Sequence, residues 1–276
     1  MSGQVVVAAD KTSRVDVERV LGQGSWTLLR DDRWVASYEV ESEAVARKLV
    51  AHLRADQHPA VAGPPDSARA VAWNNRNRPT RVGMRAEVCF PWVSSEAEIV
   101  IEIDPGLGFG VGDHPSTRLL LEELDLRVRA DDSVLDVGCG SGVLAVAAVC
   151  FGARQAFGID INEAGLVAAE ANARRNGVAD KVQFSSVELT EVRGKYDVVL
   201  ANIHDATLRR IADELVARVA PKGWLGLSGV SRGQVSRLRS AFPSVDFEAV
   251  KEICLLYTSD AADEGLGVDL GGRRII

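Results

Sequence analysis

Apolar and polar positions alternate along this chain in two distinct rhythms. Near the start, residues 4–8 (QVVVA) read as a strand, Val15 to Leu21 as a short helix, and Trp26 to Val40 as two strands turning at Asp31 and Asp32. Glu41 to Ala55 follows with Val45, Leu49, Val50 and Leu53 at helical spacing, which predicts a helix with one apolar face. This β-α-β-β-α order, with a further strand at Ala70 to Trp73, predicts a small ferredoxin-like α+β domain over residues 1–75. Just ahead of that last strand, HPAVAGPPDS at 58–67 is rich in Pro, Gly and Ala without periodicity and reads as a loop, and residues 76–98 read as a linker.

From about residue 95 strands alternate with helices, the pattern of a parallel sheet covered on both faces. Strands are predicted at 99–103, 133–137, 155–159, 181–184, 196–201, 223–228 and 245–252, with helices at 115–124, 142–151, 163–176, 206–219 and 232–241. The 163–176 helix has both ends marked, Asn162 as its cap and Gly177 as its left-handed stop. The second domain, 99–253, is therefore expected to be α/β with a Rossmann-like parallel sheet.

Composition narrows the class without naming it. At 276 residues and 46% hydrophobic the chain has material for a large core and a small one. The longest apolar run, Val143 to Ala153, is well short of the roughly 20 residues that a bilayer span needs, and no basic segment followed by an apolar stretch opens the chain. A cytoplasmic protein with no membrane association is expected. Cys89, Cys139, Cys150 and Cys254 form no C-x-x-C pair or His/Cys cluster, so free thiols and no metal site are expected. A net charge of −7 argues against a stable nucleic-acid partner and favours a basic protein substrate. Arg76, Arg78, Arg81 and Arg85 are the exception, a local cluster read either as solvated surface or as a substrate or RNA contact.

The candidate chemistry begins at Val134-Leu135-Asp136-Val137-Gly138-Cys139-Gly140-Ser141-Gly142, a strand running into a glycine turn and then an apolar helix. Glycines let backbone lie against a ligand, and the new helix offers unpaired N–H groups to an anion. Asp160 ends the next strand, where its carboxylate can accept from both ribose hydroxyls of a nucleoside cofactor. Nicotinamide folds use G-x-G-x-x-G, whereas Gly138, Gly140 and Gly142 give G-x-G-x-G behind Asp136, which favours S-adenosylmethionine. Asn202 follows the strand Tyr196 to Ala201 at the carboxyl edge of the sheet, where ligands of open α/β folds collect. His114 and His204 are available proton acceptors, though an isolated loop histidine more often caps a helix or is solvated.

Ahead of that sheet lies PGLGFGVGDHPST, residues 105–117, in which Pro115 suits a first helical turn and Asp113 or His114 a cap. Together with VLDVGCGSGVLA, GIDI, NGV and YDVVLANI, in this order and spacing, it resembles the bacterial ribosomal protein L11 methyltransferase family over roughly residues 70–250. The resemblance implies a class I methyltransferase fold, an N-terminal substrate-recognition domain and methylation of lysine or α-amino groups of L11. It also implies cofactor contacts from Thr117, Gly138, Asp160 and Asn202, and places Phe109 in the loop near the methyl-transfer centre. Asn202 and Phe109 are the catalytic candidates, and Asp136, Gly140 and Gly142 complete the cofactor set. The family usually carries Thr where this chain has Val111 and Asp113, and Ala at Gly108, which bears on the choice of protein substrate. A monomer is expected. Methylation of another protein, RNA or a small molecule, a non-catalytic cofactor-binding module and a nicotinamide oxidoreductase are the alternatives.

The final run, Cys254 to Ile276, resembles the in-frame translation of sequencing-adaptor DNA and is set apart as a non-native tail. The resemblance implies a seventh, antiparallel strand inserted between the fifth and sixth. Because natural sequence would stop near Ile253, that strand is expected to be missing and residues beyond about 260 to pack poorly.

Overall fold

The computed structural model describes residues 3–10, 13–24, 26–28, 33–55, 60–63, 79–91, 93–104, 112, 114–253, 265–271 and 274–275. The chain divides into two compact units, one comprising Met1–Pro79 and Trp92–Ser94, the other Thr80–Pro91 and Ser95–Ile276.

In the first unit the elements are β1 (Gly3–Asp10), α1 (Arg14–Leu21), β2 (Trp26–Leu28), β3 (Arg33–Val40), α2 (Glu43–Ala55) and β4 (Ala60–Gly63). The sheet runs β2-β3-β1-β4 with antiparallel pairing throughout, which is the ferredoxin-like order. Val17 of α1 and Ala46, Val50 and Leu53 of α2 are buried, as are Val5 and Val7 of β1 and Ala36 and Tyr38 of β3. The fourth strand is Ala60–Gly63, inside the segment expected to be a loop. Four small residues without alternation give no sequence signal, but β1 has a free edge and Val7 pairs with Ala60 through Gln4 with Gly63 along it. The strand expected at Ala70 to Trp73 lies outside the described residues.

The second unit begins with β5 (Thr80–Val82) and β6 (Ala86–Cys89), both within the expected linker, and β7 (Ile99–Glu102). These form a separate three-stranded sheet, not part of the large one, and Val82, Ala86, Val88 and Ile101 join the core against α3 (Pro115–Arg127). There follow β8 (Ser133–Val137), α4 (Val143–Cys150), β9 (Gln155–Ile159), α5 (Glu163–Arg175), β10 (Val182–Ser185) and β11 (Tyr196–Asn202). The helix expected at 206–219 is two, α6 (Asp205–Arg210) and α7 (Ala212–Arg218), broken at Ile211 where φ is −107°. Then come β12 (Val219–Val230), α8 (Val235–Ala241) and β13 (Asp246–Ile253).

Strands β10, β9, β8, β11 and β12 are mutually parallel in that order. Alternation sorts their side chains into two cores: Val198 and Leu200 of β11 pack on the α3 and α4 side, Val199 and Ala201 on the side of α6 to α8. At β8 all five residues are buried, as a central parallel strand requires. Asn162 caps α5 by accepting from the Gly165 N–H at 3.4 Å, and Gly177 sits beyond it at φ +68°, both as the sequence predicts.

The far edge differs from expectation. The sheet continues β12-β14-β13, with β14 (Gly265–Gly271) antiparallel to both neighbours and β15 (Arg274–Ile275) pairing β12. Thus the tail supplies the strand that was expected to be absent. The physical reason is that β12 and β13 each present a row of backbone N–H and C=O groups, and any extended backbone of sufficient length satisfies them. Deleting residues 254–276 is accordingly expected to lower the melting temperature by about 5 °C or more. An unchanged melting temperature in that truncation would show that this segment contributes no ladder.

Candidate functional site

Gly138, Asp160 and Asn202 sit at one edge of the parallel sheet because the strands end in register. Val137 pairs with Ile159 across β8 and β9, and with Ala201 across β8 and β11. The next residues, Gly138, Asp160 and Asn202, therefore emerge side by side.

The turn after β8 is pinned from several directions. Gly138, Gly140 and Gly142 have φ of +76°, +52° and +76°, a left-handed region costly to other residues. A Cβ on Gly138 would stand 2.4 Å from Cγ2 of Ile203, and one on Gly142 would stand 2.7 Å from Phe184. The N–H groups of Gly138 and Cys139 both donate to the Ile159 carbonyl, at 2.8 and 3.0 Å. Gly142 then heads α4 without a side chain to cap it, leaving the helix start open to an anionic group.

Two carboxylates flank this turn. Asp160 accepts from Gly140 N–H at 2.7 Å through one oxygen and from Asn162 N–H at 2.8 Å through the other. Besides ending its strand, it thus ties the glycine turn to β9, a role the sequence did not suggest. A carboxylate offers about four lone-pair sites, so acceptor capacity remains. Asp136 is fully buried; its Oδ2 accepts from Ala145 N–H at 3.2 Å and its Oδ1 has no partner. Burial, against the Ala145 hydrogen bond and reinforced by the negative charge of Asp160, pushes its carboxyl up to about 7.

Thr117 and Asn202, 85 residues apart, meet here: Asn202 Nδ2 donates to Thr117 Oγ1 at 3.0 Å. Thr117 is buried in the first turn of α3, and the bond leaves the Asn202 amide oxygen as an oriented acceptor. His114 caps α3, its Nδ1 accepting from Ser116 N–H at 3.3 Å and lying 2.6 Å from Ser116 Oγ. His204 precedes α6 and is exposed, with no side-chain capping bond. Phe109, and with it 105–111 and Asp113, lies outside the described residues.

Sequence reasoning missed three features at this edge. Gly229, next to last in β12, has φ +85°, and a Cβ there would stand 2.7 Å from the Ile203 carbonyl oxygen, so Ile203 is held between Gly138 and Gly229. Ser228, the register partner of Asn202, is buried with an unpartnered hydroxyl. Ile161, directly after Asp160, is 86% exposed, an apolar surface beside that carboxylate. The SG pair near the end of an apolar strand and the apolar residue after Asp160 were the available signals.

Of the arginine cluster, Arg76 and Arg78 lie outside the described residues. Arg85 Nε donates to Asp125 at 2.8 Å and Arg81 lies 3.9 Å from Glu87, so these two bind the β5–β6 hairpin to acids of the same unit. Burial pushes the Cys89 and Cys150 thiols up to about 11 and raises Cys139 further, which makes them poor nucleophiles. Among the described residues no group of His, Cys, Asp and Glu could hold a metal, and no helix is long and apolar enough to cross a membrane.

A profile of the ribosomal protein L11 methyltransferase (PrmA) family matches residues 6–254. The chain belongs to that family. The matched residues stop where the adaptor-like tail begins. The ribosomal protein L11 methyltransferase of Citrifermentans bemidjiense is 41% identical over 199 residues, covering 67% of this chain and 65% of that protein. That of Haemophilus ducreyi is 39% identical over 175 residues, covering 63% of this chain and 60% of the relative. The chain thus matches a little under two thirds of the length of these two curated relatives. Among solved structures, ribosomal protein L11 methylase from Lactobacillus delbrueckii subsp. bulgaricus shares the fold, with a TM-score of 0.61 at 24% identity over 71% of this chain and 98% of that one.

The state of Asp136 gives a prediction. Folded, its carboxyl keeps its proton to about pH 7; unfolded, it releases it near the ordinary value of about 3.9. The folded chain binds more protons across that window, so this group makes stability fall as pH rises from about 4 to about 7. Asp136→Asn should flatten that part of the melting-temperature profile and gain on wild type towards neutral pH. Parallel profiles for the two proteins would show that Asp136 is ionised in both states.

Proposed function

We propose that the protein is an S-adenosylmethionine-dependent methyltransferase acting on lysine or α-amino groups of ribosomal protein L11. The observation that carries this reading is the convergence, at one strand edge, of a left-handed glycine turn, a carboxylate with spare acceptors and an oriented amide.

The donor set fits the cofactor. The turn at Gly138 to Gly142 and the start of α4 suit its carboxylate, and Asp160 suits its ribose hydroxyls. The unpartnered Oδ1 of Asp136 suits its ammonium, which would favour the ionised carboxylate there. Exposed Ile161 suits the flat face of its base. When bound, the cofactor supplies a methyl group on a positively charged sulfur.

The protein's own part is to present an amine with its lone pair free. A lysine amine has a pKa of about 10.4, and a pocket that strips water from it favours the neutral form. Asn202, held by Thr117, accepts an N–H of that amine through its amide oxygen and so fixes the direction of the lone pair. No dedicated base is required, which agrees with His114 being occupied as a helix cap. The ferredoxin-like unit is assigned to recognition of the protein substrate, as the family membership supports. The cytoplasm, where ribosomal proteins are available, is the expected compartment.

Incubating the purified protein with labelled cofactor, recombinant L11 and ribosomal RNA tests the reading, with intact-mass spectrometry as the readout. L11 should gain whole methyl increments and the RNA none; label confined to RNA would overturn the substrate assignment. Asp160→Ala should weaken cofactor binding by about tenfold to a hundredfold, the range for hydrogen bonds to a charged group. Asn202→Ala should lower turnover far more than it lowers cofactor affinity. Equal losses in both would make Asn202 a cofactor ligand alone.

A further inference from the structure

Two asparagines, Asn172 on α5 and Asn176 capping its end, do something that neither the turn motif nor the family resemblance identified. Asn172 and Asn176 stand one helical turn apart, a rise of about 6.0 Å, close to the roughly 6.6 Å between alternate residues of a strand. Their amides exploit this match by pairing with the backbone at and just beyond the end of β7. Asn176 Nδ2 donates to Glu102 O at 2.8 Å and its Oδ1 accepts from Glu102 N–H at 2.9 Å. Asn172 makes the same pair with Asp104, both bonds at 2.9 Å. Two side chains thus imitate one strand of a ladder.

The two amides differ in a second bond donated by Nδ2. In Asn176 it returns to the carbonyl of Asn172 in the last turn of α5, at 2.8 Å. In Asn172, which is fully buried, it reaches the carbonyl of Ser141 inside the glycine turn, at 2.9 Å. The turn is therefore gripped at neighbouring residues, Gly140 N–H by Asp160 and Ser141 C=O by Asn172.

We propose that Asn172 is a positioning residue for the cofactor, acting through the Ser141 carbonyl to hold the glycine turn in its binding conformation, with Asn176 as its purely structural counterpart. This rests on the reading of the turn as the S-adenosylmethionine site. Without the Asn172 amide, the turn must be ordered anew each time cofactor binds, which weakens affinity while leaving the reacting groups in place.

The matched pair provides the control. Asn172→Ala and Asn176→Ala each remove the pair of hydrogen bonds to the β7 segment and should lower the melting temperature similarly. In calorimetric titration with S-adenosylmethionine, Asn172→Ala should raise Kd about tenfold, the upper range for one buried hydrogen bond, and Asn176→Ala less than twofold. The KM for cofactor should follow Kd, with kcat on L11 changed less than twofold in both. Equal Kd values in the two variants, or a wild-type Kd in Asn172→Ala, would overturn the proposal. Asn172→Asp, which keeps the volume and the acceptor but loses both donors, takes its place if the alanine variant does not fold. Failure of both to fold would make Asn172 structural and equally overturn it. A wild-type protein that binds no S-adenosylmethionine would instead refute the reading of the site.

Discussion

The constraint on which the second unit depends is steric: between β8 and α4 the chain reverses within five residues, and there is no room for Cβ atoms on its inner side. Ile203 presses on Gly138, Phe184 and Ala169 on Gly142. Such close approach is possible only with glycine, and the left-handed φ values at all three positions follow from the same geometry. The outcome is backbone N–H groups and a helix start at the strand edge. That arrangement suits a negatively charged ligand group and is otherwise poorly solvated.

Other parts of the unit hold this turn. Asp160 fastens it to β9, Asn172 to α5 and the β7 segment, and Asp136 braces α4 from beneath through Ala145. Asp136 is held at a cost, because a buried carboxylate with one vacant oxygen is pushed toward its neutral form. On the other side of Ile203, Gly229 allows β12 to approach, so the peptide after Asn202 is enclosed by two glycines. Asn202 itself is fixed by Thr117 at the start of α3. That helix is anchored at its other end by buried Glu123, which pairs with Arg127 and Lys251. The geometry of the strand edge and the core packing here share the same residues.

How much of this was legible in the sequence depended on the range of the interaction. Strands β8, β9 and β11 were readable because each is an apolar run bounded by turn residues, and the glycine turn because its three glycines alternate behind an acid. The ferredoxin-like order was readable from α2, whose apolar face repeats at helical spacing. Strand β4 was not, since Ala60–Gly63 has no alternation and forms only because β1 offers an unpaired edge. The hairpin of β5 and β6 was hidden under arginines that pair with Glu87 of the hairpin and Asp125 of α3. Asn172 and Asn176 looked like an ordinary polar face of a helix, because their partners lie 68 and 74 residues away. The tail shows the converse: a segment without strand periodicity completes a ladder because ladder bonds belong to the backbone.

The central claim is that cofactor sits on the glycine turn, between Asp160 and Asn202. Amide hydrogen exchange on the intact chain, with and without saturating S-adenosylmethionine, measures this directly. The account predicts slowed exchange in the segments around 138–145, 160–162 and 202–204, with the rest of the second unit's sheet unchanged. Protection confined to other segments, or none at saturating cofactor, would contradict it.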